Sequence, residues 1–360
     1  MTLKITLTMR RALLLAALAM TFCSACALPQ PGANRDQTEQ APVRIAEGAY
    51  VSIGGIEQWI TIHGDDRSNP IVLVVHGGPG NPMSPIAESL FSDWESDFTL
   101  VQWDQRGAGR TYSRNGPSVA STMNVERMAQ DGIEVAEYLT GHLDQHKITI
   151  FATSWGSVLG VHMAHARPDL FHAYVGHSQL VEWNANLTAT YGRLLERARA
   201  AGDQTSIDTL VELGPPPWSR AANWPRLRRV YAPYQRAATT APAALVALSA
   251  EYGSEEEQAL YSEAEDFSFE HLWGLTLSGP LTQVDLPALG TSFEIPVFIV
   301  QGEQDLWTVP ELTRAYFASI NGPEKQFYLV EGAGHELSQN GVALIHDVLM
   351  DHVRPLAIAP

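Results

Sequence analysis

The feature that most restricts this chain is an alternation: short unbroken apolar runs recur along it, separated by stretches of helical periodicity. The runs are IVLVVHGG (71–78), FTLVQWDQ (98–105), ITIFATS (148–154), FHAYVGH (171–177), VFIVQG (297–302) and QFYLVEG (326–332). A strand that is apolar at consecutive positions must be covered on both faces, which is the condition of a parallel sheet flanked by helices. Between the runs, VERMAQDGIEVAEYLTGHL (125–143) sets Met128, Ile133, Val135, Ala136, Leu139 and Leu143 at helical spacing, and GVALIHDVLMDHV (341–353) repeats the pattern. Strand alternating with helix predicts an α/β fold built on a mostly parallel, doubly wound sheet. Ahead of it, AYVSIGG and IEQWITIHG alternate around Gly54 and Gly55, which predicts an antiparallel hairpin.

One stretch breaks the rhythm. Residues 181–290 carry Ala-rich and Glu-rich helical segments and GPPPW (214–218), with no buried strand pattern. They read as a helical cap inserted into a core formed by residues 47–180 and 291–360. The opening 26 residues have Lys4, Arg10 and Arg11, then an apolar run (12–22), then small residues, the layout of a secretory signal. Two processing sites compete: after Ala27, with Ala25 and Ala27 as the small pair, or before Cys26 with the cysteine lipidated, as in a bacterial lipoprotein. Either reading predicts export, to the periplasm, to a lipid anchor at the envelope, or out of the cell. Both cysteines of the chain lie in this segment, so the folded body holds no disulfide. Residues 27–46, rich in Pro, Gln and charge, read as a flexible tether. The net charge of −17 over 360 residues, despite the three cations at the start, argues against nucleic acid as a partner.

The chemistry centres on FATSWGSVLG (151–160). Ser154 follows an apolar strand and precedes a helical run, the strand–turn–helix context of a nucleophile elbow. Such a turn needs small neighbours, supplied here by Gly156 and Ala152, giving A-x-S-x-G where glycine is usual at the first position. A serine nucleophile needs a base, and the base an orienting acid, arriving in the order Ser, Asp or Glu, His. Asp305 lies just past the strand VFIVQG and His335 just past QFYLVEG, so all three reach the same carboxyl edge. Glu303 is the alternative acid. For the oxyanion hole, the backbone N–H groups of Trp155 and of Gly78 or Gly77 in HGGPG (76–80) stand in the expected places. His76 reads as a histidine shaping that loop, and Asp104 with Arg106 as a buried ion pair beneath the site. No metal-ligand spacing or nucleotide loop occurs, so no cofactor is expected.

In their order and spacing, HGGPG (76–80), WDQRGAG (103–109), SWGS (154–157), GEQD (302–305) and GAGH (332–335) resemble the proline iminopeptidase group of the α/β-hydrolase superfamily, over about residues 48–353. The resemblance implies serine hydrolysis beneath a helical cap between the sixth and seventh strands, with cap glutamates gripping the free amine of an N-terminal proline. Trp183, Trp218 and Trp224 are not followed by the glutamate of the family's cap signature. Glu182, Glu196, Glu212, Glu251 and Glu263 are therefore unranked candidates for that grip. The substrate is expected to be a small peptide, or, if the cap pocket holds no acid, a small ester or amide. A surface-anchored binding protein without catalysis is the third reading.

Overall fold

The computed structural model describes residues 41–358, apart from 219, 221, 239–241, 275 and 276. The signal reading of residues 1–26, and the tether reading as far as residue 40, lie outside the described residues. The first strand begins two residues before the expected start of the body: β1 (Ile45–Ile53) pairs antiparallel with β2 (Ile56–Gly64), and Ile53 faces Ile56 across the Gly54–Gly55 turn. Both glycines have positive φ, 58° and 78°, as a two-residue hairpin turn requires.

The other strands are β3 (Ile71–Val75), β4 (Thr99–Trp103), β5 (Ile148–Thr153), β6 (Phe171–His177), β7 (Val297–Gly302) and β8 (Lys325–Val330). They form one sheet in the order β1-β2-β4-β3-β5-β6-β7-β8, parallel from β4 to β8. The apolar runs fill both faces as their continuity predicts. Within β3, Ile71, Leu73 and Val75 join one core cluster, and Val72 and Val74 join the other. From β3 the chain steps one way to β4, then crosses back to β5 and continues the other way. The carboxyl ends of β3 and β5 therefore flank a topological switch point, the place where open α/β sheets bind ligands.

Among the described residues, eight helices have ten or more residues: α1 (Val125–Leu143), α2 (Trp155–Ala166), α3 (Trp183–Ala201), α4 (Gln204–Leu213), α5 (Asn223–Ala238), α6 (Glu255–Trp273), α7 (Pro310–Ser319) and α8 (Gln339–Val348). Helices α3 to α6 all lie between β6 and β7. They hold a small core of their own, with Leu187, Leu194, Leu210, Leu227 and Val230. Helix α6 is fastened to the loops that follow β3 and β4. Ser268 Oγ donates to Gly107 O at 2.7 Å, and a Cβ on Gly80 would lie only 2.5 Å from Ser268 Cβ. Glycine at 80, with φ 85°, is what lets the helix approach so closely.

Candidate active site

Ser154 caps the start of α2 directly after β5, with φ 51° and ψ −119°. A non-glycine residue there is strained, and the surroundings impose it: Ser154 N donates to His177 O (3.0 Å), while Ser154 O accepts from Ser157 N (3.0 Å) and Ser157 Oγ (2.5 Å). The turn leaves no room at the next residue but one, because a Cβ on Gly156 would stand 2.1 Å from Val75 O. The alanine at 152 is accommodated from the helix side. A Cβ on Gly160 would meet Ala152 Cβ at 2.9 Å, so the side chain given to the strand is withheld from the helix one turn on.

Asp305 and His335 come to Ser154 from the loops after β7 and β8. His335 Nε2 lies 3.0 Å from Ser154 Oγ, and His335 Nδ1 lies 3.0 Å from Asp305 Oδ2. A carboxylate can only accept, so Nδ1 carries the hydrogen and Nε2 presents its lone pair to the serine hydroxyl. Asp305 is fully buried. Its Oδ1 accepts from the backbone N–H of Trp307 (2.7 Å) and Thr308 (2.8 Å), and its Oδ2 also accepts from Thr308 Oγ1 (2.6 Å) and Gln301 Nε2 (3.0 Å). Burial opposes the carboxylate charge, but the His335 beside it and the donors from His335 and Thr308 outweigh burial and hold the group below its ordinary value. For His335, burial works against the imidazolium, and the charge and hydrogen bond of Asp305, with the charge of Glu336, more than offset it, raising the ring above its ordinary 6.5. Glu303 turns away and accepts from Gly332 N at 3.0 Å.

Trp155 N opens α2 immediately after the serine, and a Cβ on Gly77 would lie 3.1 Å from Ser154 Cβ, so the HGGPG loop borders the hydroxyl. Gly77 and Gly78 line the same cavity as Ser154 and His335. His76 is buried, donates from Nδ1 to Gly77 O (2.9 Å) and accepts at Nε2 from Gln105 N (3.2 Å); burial pushes its pKa down to about 4. It holds the loop as a neutral ring. The expected Asp104–Arg106 pair is not formed. Arg106 pairs instead with Asp131 of α1 through Nε (2.8 Å) and Nη2 (3.0 Å). Asp104 faces the other way and accepts from Ser84 Oγ (2.5 Å), Arg110 N (2.8 Å) and Tyr261 of α6 (2.9 Å). Two residues apart on a turning loop, the side chains diverge, and each finds a partner on a different element.

The cavity over Ser154 has a volume of about 330 Å³. Trp224, Arg228 and Tyr231 of α5, and Glu265 and Phe269 of α6, form its helical wall, with Trp307 and Glu336 at the sheet edge. None of Glu182, Glu196, Glu212, Glu251 and Glu263 lines it. Glu182 caps α3, Glu212 pairs with Arg226, Glu251 faces Arg110, Glu263 accepts from Tyr112, and Glu196 is exposed. The cap glutamate that does face the cavity is Glu265, whose pKa burial raises while Arg228 opposes the rise.

The α/β hydrolase fold family matches residues 70–340, three quarters of the chain and every strand of the parallel sheet. The chain belongs to the α/β-hydrolase family. It is 28% identical over 312 residues to "Probable aminopeptidase YbaC" of Bacillus subtilis (strain 168), covering 84% of this chain and 95% of that protein. It is 29% identical over 204 residues to "Probable proline iminopeptidase" of Streptomyces coelicolor, covering 46% of this chain and 61% of that protein. The crystal structure of the proline iminopeptidase of Mycobacterium smegmatis superposes with a TM-score of 0.61 at 18% identity, over 85% of this chain and 98% of that one, a likeness of fold.

Several residues at the site of this hydrolase escaped the sequence reading: Thr308 and Gln301 on Asp305, and Glu265, Glu336 and Arg228 on the cavity. For Thr308 a signal existed. D-L-W-T is an aspartate followed two and three residues later by the N–H groups its side chain accepts, a common turn pattern. For the cap, the spacing 224, 228, 231 puts Trp224, Arg228 and Tyr231 on one helical face, but only the fold tells which face meets the cavity.

Proposed function

We propose that this hydrolase is a serine aminopeptidase, similar to proline iminopeptidases, that releases the N-terminal residue of small peptides through a Ser154–His335–Asp305 triad. Ser154 Oγ attacks the scissile carbonyl as its proton passes to His335 Nε2, and Trp155 N with Gly78 N or Gly77 N receives the negative oxygen. The tetrahedral intermediate collapses, expelling the amine with the proton from His335. Water, deprotonated by the same ring, then releases the acyl group as a carboxylic acid. Asp305 keeps the ring in its tautomer and stabilises the imidazolium.

The observation that carries the aminopeptidase reading is Glu265, an acid on the cap wall of the cavity that holds Ser154 and His335. A substrate ammonium can pair directly with this half-buried carboxylate, which among the described residues makes no ion pair within 4.0 Å. The names of the two relatives point the same way. The aromatic wall of Trp224, Phe269 and Trp307 also fits apolar acyl groups, which supports small-molecule ester hydrolysis as the second reading. The deciding experiment sets a proline anilide and other aminoacyl anilides beside nitrophenyl esters. Glu265→Gln is expected to raise KM for the anilides about tenfold or more and to leave the esters within about twofold, since only the anilides carry an amine. Equal effects on both substrates favour the esterase. Ser154→Ala is the control, expected to lose at least about a thousandfold in kcat and all labelling by an organophosphate; retained labelling overturns the triad and places the nucleophile elsewhere.

Export belongs to the same proposal: residues 1–26 act as a signal, and the mature protein is either lipidated at Cys26 or freed after Ala27. The intact mass of protein recovered from a bacterial envelope distinguishes the two.

A further inference from the structure

The catalytic cavity carries one feature that an amine-binding acid does not explain, the guanidinium of Arg228. Arg228 lies four residues after Trp224 and three before Tyr231 on α5, so it shares their face toward the cavity, yet it is exposed and therefore stands at the mouth. Its neighbours on α5 do not share that place: Arg226 pairs with Glu212 at 2.6 Å, and Arg229 does not line the cavity. Among the described residues, Arg228 makes no ion pair within 4.0 Å, although Glu265 is near enough to feel its charge.

Among the described residues, the cavity thus presents charges of both signs: Glu265 and Glu336 as acids, and Arg228 as the one arginine on its wall. At about 330 Å³ it lies at the small end of the range for small-molecule sites, roughly 300–1,000 Å³. A short peptide is the substrate whose own charges match. Its ammonium and its carboxylate are separated by about two residues of extended chain in a dipeptide, roughly 7 Å. When the ammonium is held by the acids and the scissile carbonyl lies at Ser154, the leaving residue points away from the acyl pocket, and its carboxylate needs a partner outside it. A guanidinium binds a carboxylate through two parallel hydrogen bonds, a geometry that a neutral amide cannot reproduce.

We propose that Arg228 recognises the terminal carboxylate of the leaving group, so that the preferred substrates are dipeptides and other very short peptides with a free C-terminus. This rests on the aminopeptidase reading above. The test compares kcat/KM for prolylglycine, prolylglycinamide and a proline anilide in the wild-type chain and in Arg228→Gln. The readout is the ratio of dipeptide to its amide. Both carry the same acyl group and the same amine, so any change that Arg228→Gln causes at Glu265 or in the cap cancels. The wild-type ratio is expected to favour the dipeptide by about tenfold, and Arg228→Gln to bring it near one, with Arg228→Lys between because it keeps the charge and loses the fork. A wild-type ratio near one, or a ratio unchanged by Arg228→Gln, overturns the inference while anilide turnover leaves the aminopeptidase reading standing. No turnover of prolyl or other aminoacyl substrates, with a nitrophenyl ester still hydrolysed, overturns the aminopeptidase reading itself and this inference with it.

Discussion

At the scale of single residues, the site is governed by what surrounds two side chains. The cost of burying Asp305 is offset because four groups besides His335 donate to it: two backbone N–H groups, a hydroxyl and an amide. Its stable charge in turn raises His335 above 6.5. An imidazolium cannot take the serine proton, so activity should be full where the ring is neutral and be lost as pH falls through this raised pKa. The acid limb of kcat/KM is therefore expected to have its midpoint above 6.5, and a midpoint below it would contradict the pairing. Asp305→Asn should move the limb down and cost about 10⁴ in kcat, because an amide can hold the ring in the wrong tautomer. Glu303→Gln should change kcat by less than about twofold, since the Glu303 carboxylate serves Gly332 N instead. Thr308 touches both partners, with its hydroxyl 2.6 Å from Asp305 Oδ2 and 3.3 Å from His335 Nδ1, and so orients the acid and the base together.

At the scale of elements, the glycine-rich loops after β3 and β4 do two jobs. HGGPG brings Gly77 against Ser154, and both loops form the bed on which α6 rests. The consequence is that the wall bearing Glu265 and Phe269 is positioned by the same loop that brings Gly77 against Ser154. Gly80→Ala would force a side chain into a left-handed conformation and against Ser268, a combination that costs about 1–3 kcal/mol. The expected result is a lower midpoint of thermal unfolding together with a higher KM, read on the same preparation. An unchanged KM would show that α6 is held in place by other contacts. Tyr261 adds a second tie, since its hydroxyl donates to the buried Asp104, whose pKa burial raises to about 6.

At the scale of the molecule, the buried pair between Arg106 and Asp131 links the loop after β4 to α1, with side chains 2% and 0% exposed. Arg106 also donates to Gly54 O of the first hairpin, so one guanidinium joins three parts of the chain. Removing one partner strands a buried charge, and Asp131→Asn is expected to lower stability by about 3–5 kcal/mol, measured by urea unfolding. A loss below about 1 kcal/mol would mean that Thr122 and Gly54 satisfy the guanidinium alone.

The sheet, the hairpin and the placement of Ser154, Asp305 and His335 at strand ends are legible in the residues alone, because continuous apolar runs and strand–turn–helix signals are local properties that a chain carries wherever it folds. So is the helical segment between β6 and β7. Partnership, by contrast, emerged only with the fold. Arg106 met Asp131 rather than Asp104, and Glu265 reached the cavity rather than any of the five cap glutamates singled out from the sequence. A charged side chain on an amphipathic helix looks the same in sequence whether it faces water, a neighbouring helix or a substrate. Which of these it meets depends on how helices far apart in the chain are set against the sheet, and that is fixed by packing over the whole molecule.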